Sequence, residues 1–221
     1  MKALIVGAAL VACALVSPAF AGETATYTVR VDATWTAQSH PLEYPDDAHF
    51  SGIVGATHDG GYHIFTDGGT ATDGLEALSE RGAHSPLDRE IKAAIDAGKA
   101  GAFFESDPLF SFPGTLGATF TADEAHPFVS VVAMVAPSPD WFTGVSTVPL
   151  HTAKGWVETV TLPLWVWDAG TDTGTTYHAD DADAQPRQST RLNASPHFLG
   201  KKGLKQVGTI TFTRIKKTAV N

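Results

Sequence analysis

Three aspartates stand among tryptophans, glycines and prolines in the stretch PSPDWFTGVSTVPLHTAKGWVETVTLPLWVWDAGTDTG, residues 137–174. They are Asp140, Asp168 and Asp172, and none has a lysine or arginine next to it in the sequence. A carboxylate in such surroundings is protonated, hydrogen-bonded to backbone N–H groups, or bound to a metal ion. Because calcium is a hard cation that takes about six to eight oxygen ligands, the three aspartates are candidate Ca²⁺ ligands.

The spacing of these aspartates places them in loops. The segment DAGTDTG carries Asp168 and Asp172 round a tight turn that Gly170 and Gly174 permit, and Asp140 follows a predicted strand and the segment PSP. Loops of neighbouring strands gather at one end of a β-sandwich, where they could share one ion. The segment is not an EF-hand loop, since position 3 from Asp168 is Gly170 and position 12 is not a glutamate. Spacing alone leaves the alternative open that Asp140 caps a turn and the other two make Asx-turns.

A second group of possible ligands consists of four histidines within SHPLEYPDDAHFSGIVGATHDGGYH: His40, His49, His58 and His63. Histidine is the usual ligand of zinc and copper, so the group suggests a Zn- or Cu-dependent periplasmic enzyme or redox protein as the alternative function. The irregular spacings match no standard ligand pair, and such histidines are also common as hydrogen-bonded framework residues. The nucleophile elbow, the H-E-x-x-H and C-x-x-C patterns, the phosphate loop and the dinucleotide fingerprint are absent. These absences remove the usual sequence grounds for proposing an enzyme but do not exclude one, since catalytic triads are set by geometry and not by sequence order. Our prediction is a non-enzymatic protein.

The elements that must position these residues are mostly strands. Alternation of apolar and polar residues, or a valine-rich apolar run, predicts strands within residues 25–36, 127–136, 156–167 and 207–215, with Pro163 marking a bulge or an edge. Helices are predicted for residues 73–81 and for the segment that starts with Ser85 as N-cap and Pro86 at the first helical position. The fold class is therefore mainly β: an antiparallel β-sandwich with a short helical insertion that decorates one end.

The start of the chain predicts export. Lys2, an apolar run and the small residues Ala19 and Ala21 describe a signal peptide over residues 1–21, cut after Ala21. Cys13, the only cysteine, is an alternative lipoprotein anchor. Removal of residues 1–21 takes Lys2 with it, so the formal net charge of −9 becomes −10 for residues 22–221. This acidic balance argues against nucleic acid as a partner and favours attraction of cations.

The strings AHFSGIVGATH, PSPDWFTG and WDAGTDTGTTY resemble the spondin N-terminal domain family, whose members include F-spondin and related extracellular matrix proteins. The matching stretches cover nearly all of residues 22–221 in the family's order. The resemblance implies a C2-like β-sandwich with a calcium ion in loops at one end, held by the aspartate of the PSPDW motif and both aspartates of the DAGTD motif. Carried over, these ligands are Asp140, Asp168 and Asp172.

The resemblance also implies a role in adhesion or in binding a surface partner, which would be a protein, a glycan or a lipid surface. Association with a membrane is expected only through the loop end, where Trp141 and Phe142 would serve as exposed anchors. The absence of cysteine from residues 22–221 departs from animal members of the family. It favours a bacterial, single-domain member that is exported to the periplasm or the cell exterior, with residues 22–221 as one spondin-type domain.

Overall fold

The structure is a computed structural model that describes residues 22–216. The predicted signal peptide, residues 1–21, and the alternative anchor Cys13 lie outside the described residues. Within the described part of the chain, neither helix is long and apolar enough to cross a membrane.

Fifteen strands and two helices make up the described chain. The longer strands are β1 (Thr24–Ala33), β3 (Val54–His58), β4 (Ala100–Glu105), β5 (Gly114–Asp123), β6 (Phe128–Ala136), β7 (Trp141–Pro149), β10 (Thr159–Leu164), β11 (Val166–Asp168) and β15 (Gly208–Arg214). Two-residue strands are β2 (His49–Phe50), β8 (His151–Thr152), β9 (Gly155–Trp156), β12 (Arg191–Leu192), β13 (Leu199–Gly200) and β14 (Gly203–Leu204). The helices are α1 (Asp73–Arg81) and α2 (Leu87–Asp96).

The strands form two main antiparallel sheets. The smaller sheet has the strand order β10-β15-β1-β5, and the larger has the order β12-β11-β7-β6-β3-β4, with β2 also paired to β6. The pairs β8-β9 and β13-β14 are separate small ribbons. Pro163 lies in β10, at the edge of the smaller sheet, where its missing N–H breaks no ladder. The prediction of a mainly β sandwich, with Pro163 at an edge or bulge, is confirmed.

The main core lies between the two sheets. Strand β1 alternates as the sequence predicts, so that Tyr27, Val29 and Val31 point into this core. From the opposite sheet, Val129 and Val131 of β6 meet them in the same cluster. Trp35, which follows β1, is fully buried in this core as well.

A second core lies on the outer face of the larger sheet, and the helices cover it. Leu75 and Leu78 of α1 pack with Ile91 of α2 against that face, where Val132 of β6 belongs to the same cluster. The prediction that the helices decorate one end of the sandwich is therefore wrong. Strand β6 is buried on both faces because the other sheet covers one and the helices cover the other.

The ends of the helices show which sequence signals hold. Helix α1 has the predicted bounds: the Thr72 side chain accepts the Leu75 N–H at its start, and Gly82 ends it in a left-handed conformation with φ 64°. Helix α2 begins one residue later than predicted. Pro86 occupies the N-cap position there without a side-chain cap, so the prediction of Ser85 as N-cap is wrong.

Candidate metal centre

The pairing of two neighbouring strands brings Asp140 and Asp168 together. Strand β11 runs antiparallel to β7 with Asp168 opposite Trp141, so Asp140, one residue earlier, lies at the same end of the sheet. The backbone N–H of Ala169 donates to the backbone oxygen of Asp140 at 3.1 Å and continues this pairing past the strand ends. The sequence-based expectation that strand-end loops would gather these residues is met for this pair. We call residues 137–140 and 168–174, the second of which starts at the last residue of β11, the aspartate loops.

The side chain of Asp140 is the buried centre of the aspartate loops. Its exposure is 1%, and its Oδ2 accepts the backbone N–H groups of Thr171 at 2.8 Å and Asp172 at 3.2 Å. Its Oδ1 is buried and has no hydrogen-bond partner. Burial, followed by the negative charge of Asp168, raises the pKa of Asp140 from 3.8 to about 6. One oxygen therefore organises the neighbouring loop, while the other lacks the partner that a buried carboxylate requires.

The other two aspartates hold the turns of their own loop. Asp168 Oδ1 accepts the N–H of Gly170 at 3.0 Å, and Asp172 Oδ1 accepts the N–H of Gly174 at 2.6 Å. Asp172 Oδ2 accepts a further N–H, from Ala182 at 2.6 Å. The Asx-turns that the spacing allowed are present. They leave a metal role open, because each carboxylate oxygen has a second lone pair.

The turn between these aspartates depends on Gly170. Its φ is +78°, a backbone conformation that glycine adopts without strain. A Cβ atom there would lie 2.4 Å from the backbone oxygen of Gln188, too close for any other residue without a shift. Gly170 therefore lets the loop bend and lets the segment at Gln188 pack against it, with the Gln188 N–H donating to the Gly170 oxygen at 2.7 Å.

Asp168 has a positively charged side-chain partner that its neighbours in the sequence do not reveal. Strand β12 pairs with β11 so that Arg191 stands opposite Asp168, and an Arg191 Nη donates to Asp168 Oδ2 at 3.0 Å. Arg191 also donates to Gln188 Oε1 at 3.1 Å. The sequence-based premise that the aspartates lack a positive partner is therefore wrong for Asp168. Among the described residues, Asp140 and Asp172 make no ion pair.

These residues have the oxygen ligands that a calcium ion prefers, but their side chains do not converge on one point in the structure. Three carboxylates supply hard oxygen donors, and the unpartnered Asp140 Oδ1 is an oxygen that a cation would satisfy. Across residues 22–216, no three histidine, cysteine, aspartate or glutamate side chains converge closely enough to hold a metal ion. Arg191 already neutralises Asp168. Calcium binding by Asp140, Asp168 and Asp172 therefore stays a prediction.

A cavity of about 370 Å³ opens beside the aspartate loops. Its lining includes Asp168, Asp172, Arg191, Asn193 and Ser195. Both charged and neutral polar groups therefore face one space, at the end of the sheet where the loops meet.

The aromatic residues at the loop end are not exposed. Trp141 is 2% exposed and packs against the rings of Tyr177, His197 and Phe198, while Phe142 is fully buried in the core under the helices. The prediction of Trp141 and Phe142 as exposed anchors for a membrane is therefore wrong. Both begin strand β7, where their side chains are drawn into the two cores on opposite faces of the sheet.

The four candidate histidines are each held by their own partners. His58 is fully buried, with Nδ1 against the Asp59 backbone oxygen at 2.6 Å and Nε2 against Ser130 Oγ at 2.8 Å. His63 contacts Thr147 Oγ1, His49 contacts a backbone oxygen, and His40 is buried beside Ser39 Oγ. In the described part of the chain, these histidines are hydrogen-bonded framework residues. They provide no convergent histidine cluster for zinc or copper.

Sequence reasoning missed the residues that complete the surroundings of the aspartate loops. Arg191 and Asn193 reach them only because β12, a strand of two residues, pairs with β11. Tyr177 and His197 are buried behind Trp141, with His197 paired to Glu43 at 3.1 Å. No periodicity marks so short a strand.

Comparison with known proteins supports the family on independent grounds. The family described as Spondin_N matches residues 25–197, which include every strand of the larger sheet, both helices and all three aspartates. The chain belongs to the spondin N-terminal domain family. The resemblance drawn from the PSPDW and DAGTD motifs is confirmed.

The similar proteins are spondins of vertebrates. Spondin-1 of Rattus norvegicus is 32% identical over 207 residues, Spondin-1 of Homo sapiens is 31% identical, and Spondin-2 of Rattus norvegicus is 29% identical. Each alignment covers 88% of this chain but only 26% of the Spondin-1 sequences and 63% of rat Spondin-2. The spondin domain therefore corresponds to about a quarter of the Spondin-1 relatives.

Proposed function

We propose that this spondin domain is an exported, non-enzymatic binding domain of the adhesion type, in which a calcium ion fixes the aspartate loops. Asp140, Asp168 and Asp172 would hold the ion, and backbone carbonyl groups and water would complete its oxygen shell. The ion would supply positive charge at the end of the sandwich. The partner would be a protein, a glycan or a lipid surface outside the cytoplasm.

The buried Asp140 Oδ1 carries this proposal. A carboxylate oxygen with 1% residue exposure and no hydrogen-bond partner is costly, because the ionised form loses its hydration without compensation. The other oxygen is already used by two backbone N–H groups, so the side chain cannot turn away without releasing the neighbouring loop. A cation beside Oδ1 would remove this cost at neutral pH.

The structural role of the ion follows from which groups the aspartates touch. Asp140 accepts backbone N–H groups of residues 171 and 172, and Asp172 accepts those of residues 174 and 182. A cation shared by these carboxylates would tie the β6–β7 turn, the loop after β11 and the segment near residue 182 together. These segments would then present a fixed surface to the partner.

The absence of an enzymatic function is a proposal that rests on the site. At the cavity, the Ser195 hydroxyl lies 3.4 Å from Nδ1 of the buried His197, at the limit of a hydrogen bond, and the Ser195 N–H donates to Asn193 Oδ1 in the same turn. We therefore interpret this contact as part of the turn.

Two serine–histidine contacts are shorter: Ser39 with the buried His40 at 2.9 Å, which joins chain neighbours, and Ser130 with His58 at 2.8 Å, which is fully buried. The His58–Ser130 pair lies where the pairing of β3 with β4 and of β6 with β7 is irregular, and Ser130 Oγ also accepts the backbone N–H of Thr147 there. Its role is therefore structural.

Calcium titration by calorimetry, on chelator-treated protein comprising residues 22–221, tests the proposal. We expect binding by the wild type and loss of that binding in Asp168→Asn. Asp96→Asn is the matched control, since it makes the same change at an exposed aspartate that ends α2. Equal affinity of Asp168→Asn and the wild type would show that the ligand assignment is wrong.

A further inference from the structure

The ion pair between Arg191 and Asp168 stands where a calcium ligand is proposed. Among the described residues it is the one ion pair that any of the three aspartates makes. We propose that Arg191 is an internal competitor of the cation: it neutralises Asp168 in the cation-free protein and leaves Asp168 when a divalent cation binds. This inference rests on the proposed function, because it concerns the same aspartates.

The hydrogen bonds of the three aspartates single out Arg191. Asp140 Oδ2, Asp168 Oδ1 and both oxygens of Asp172 accept backbone N–H groups, which hold the turns in shape. Of the remaining two oxygens, Asp140 Oδ1 has no partner and Asp168 Oδ2 accepts from the Arg191 side chain. Arg191 is therefore the partner that can be exchanged for a cation while the loop backbone keeps its hydrogen bonds.

The position of Arg191 allows this exchange. Its side chain is 55% exposed and lines the cavity, whereas the Asp168 side chain is 18% exposed. The guanidinium group can swing into the cavity and regain hydration without disturbing either core. Gln188, which accepts a second hydrogen bond from Arg191, lines the same cavity and can retain it there.

The energetics favour the cation in this competition. An ion pair between partly exposed side chains contributes little to stability, because water and salt screen it. A divalent cation that contacts two or three carboxylates gains more, and it repels a guanidinium group at close range. The cost of displacing Arg191 is therefore small, but it lowers the affinity of the site for the cation.

The test compares calcium affinities by calorimetry for the wild type, Arg191→Gln and Arg30→Gln at one ionic strength. Arg30 is the matched control, since it pairs with Asp32 on the smaller sheet and is similarly exposed. We expect Arg191→Gln to bind calcium about three- to tenfold more tightly than the wild type, and Arg30→Gln to bind as the wild type does. Arg191→Lys, which keeps the charge but loses the planar fork, should lie between the two.

A second measurement follows Arg191 in the wild type and needs no variant. Nitrogen NMR of the arginine side chains should show the Arg191 guanidinium bound to Asp168 without calcium and released at saturation. Unchanged affinity in Arg191→Gln, or a guanidinium signal that calcium does not move, would overturn the inference while leaving the calcium site intact. Failure of both the wild type and Arg191→Gln to bind calcium would overturn the calcium site and this inference together.

Discussion

Replacement of Asp140 by asparagine removes one negative charge and keeps an acceptor for the two N–H groups that hold the neighbouring loop. In the native protein that carboxylate is buried, one of its oxygens has no partner, and burial raises its pKa from 3.8 to about 6. A pKa raised in the folded state means that folding disfavours the ionised form. The penalty is absent below pH 3.8, grows between pH 3.8 and 6, and is fully present at pH 7.5.

The size of this penalty follows from the pKa. A rise from 3.8 to about 6 corresponds to about 3 kcal/mol of lost stability at pH 7.5 in the absence of a cation. Asparagine removes that penalty but places an NH₂ group where Oδ1 lay, and an unpartnered buried donor costs about 1–3 kcal/mol. In EDTA we therefore expect Asp140→Asn to be equal to the wild type or up to about 2 kcal/mol more stable.

Calcium should reverse this order. At a hundredfold excess of calcium over its dissociation constant, the wild type gains about 2.7 kcal/mol by mass action. For a chain of 221 residues this corresponds to a rise in melting temperature of about 5–11 °C. Asp140→Asn lacks one ligand and a negative charge, so its melting temperature should stay nearly constant.

Thermal denaturation of both proteins at pH 7.5, in EDTA and over a calcium series, measures this crossover. Asp96→Asn serves as the control and should behave as the wild type does in both conditions. An equal calcium-dependent rise in Asp140→Asn and the wild type would refute the role of Asp140 as a ligand. A loss of more than about 2 kcal/mol by Asp140→Asn in EDTA would refute the claim that the Asp140 charge is uncompensated in the cation-free protein.

Three further predictions concern the framework around the site. Burial lowers the pKa of His40 to about 4, so only the unfolded chain takes up its proton between pH 6.5 and 4; over that range the wild type should lose about 3 kcal/mol of stability relative to His40→Gln, as measured by urea titrations of both proteins. Ser130→Ala leaves His58 Nε2 and one backbone N–H without partners, so it should lower the unfolding free energy by about 2–3 kcal/mol, and equality with the wild type would contradict the buried hydrogen bonds. Gly170→Ala places a methyl group 2.4 Å from a backbone oxygen at φ +78°, so it should cost at least about 2 kcal/mol and weaken calcium binding, and an unchanged melting curve would show that the turn is not as tight as described.

The sequence predicts most of the fold because the signals are local. Alternation in residues 25–33 predicts a strand with one buried face, and the apolar run of residues 128–136 predicts a strand buried on both faces. Helix α1 has its predicted bounds because Thr72 and Gly82 cap it. The packing of the helices on the outer face of the larger sheet was not predicted. An apolar strand sequence indicates burial on both faces, but it does not indicate which element covers each face.

The site was predictable only in part. Asp140 and Asp168 come together because each borders a strand and those strands are neighbours in the sheet. Arg191 could not be predicted, since it lies 23 residues from Asp168 and reaches it through a two-residue strand. The burial of Trp141 was missed for a related reason, because its aromatic neighbours Tyr177, His197 and Phe198 lie on later, irregular segments.

The most direct test of the calcium proposal is a crystal structure of residues 22–221 in saturating calcium, recorded at a wavelength where calcium scatters anomalously. The proposal predicts one anomalous peak at the aspartate loops, with oxygens of Asp140, Asp168 and Asp172 at about 2.3–2.6 Å. It also predicts that the Arg191 guanidinium has left Asp168. The absence of a peak at these loops, with Arg191 still bound to Asp168, would contradict both.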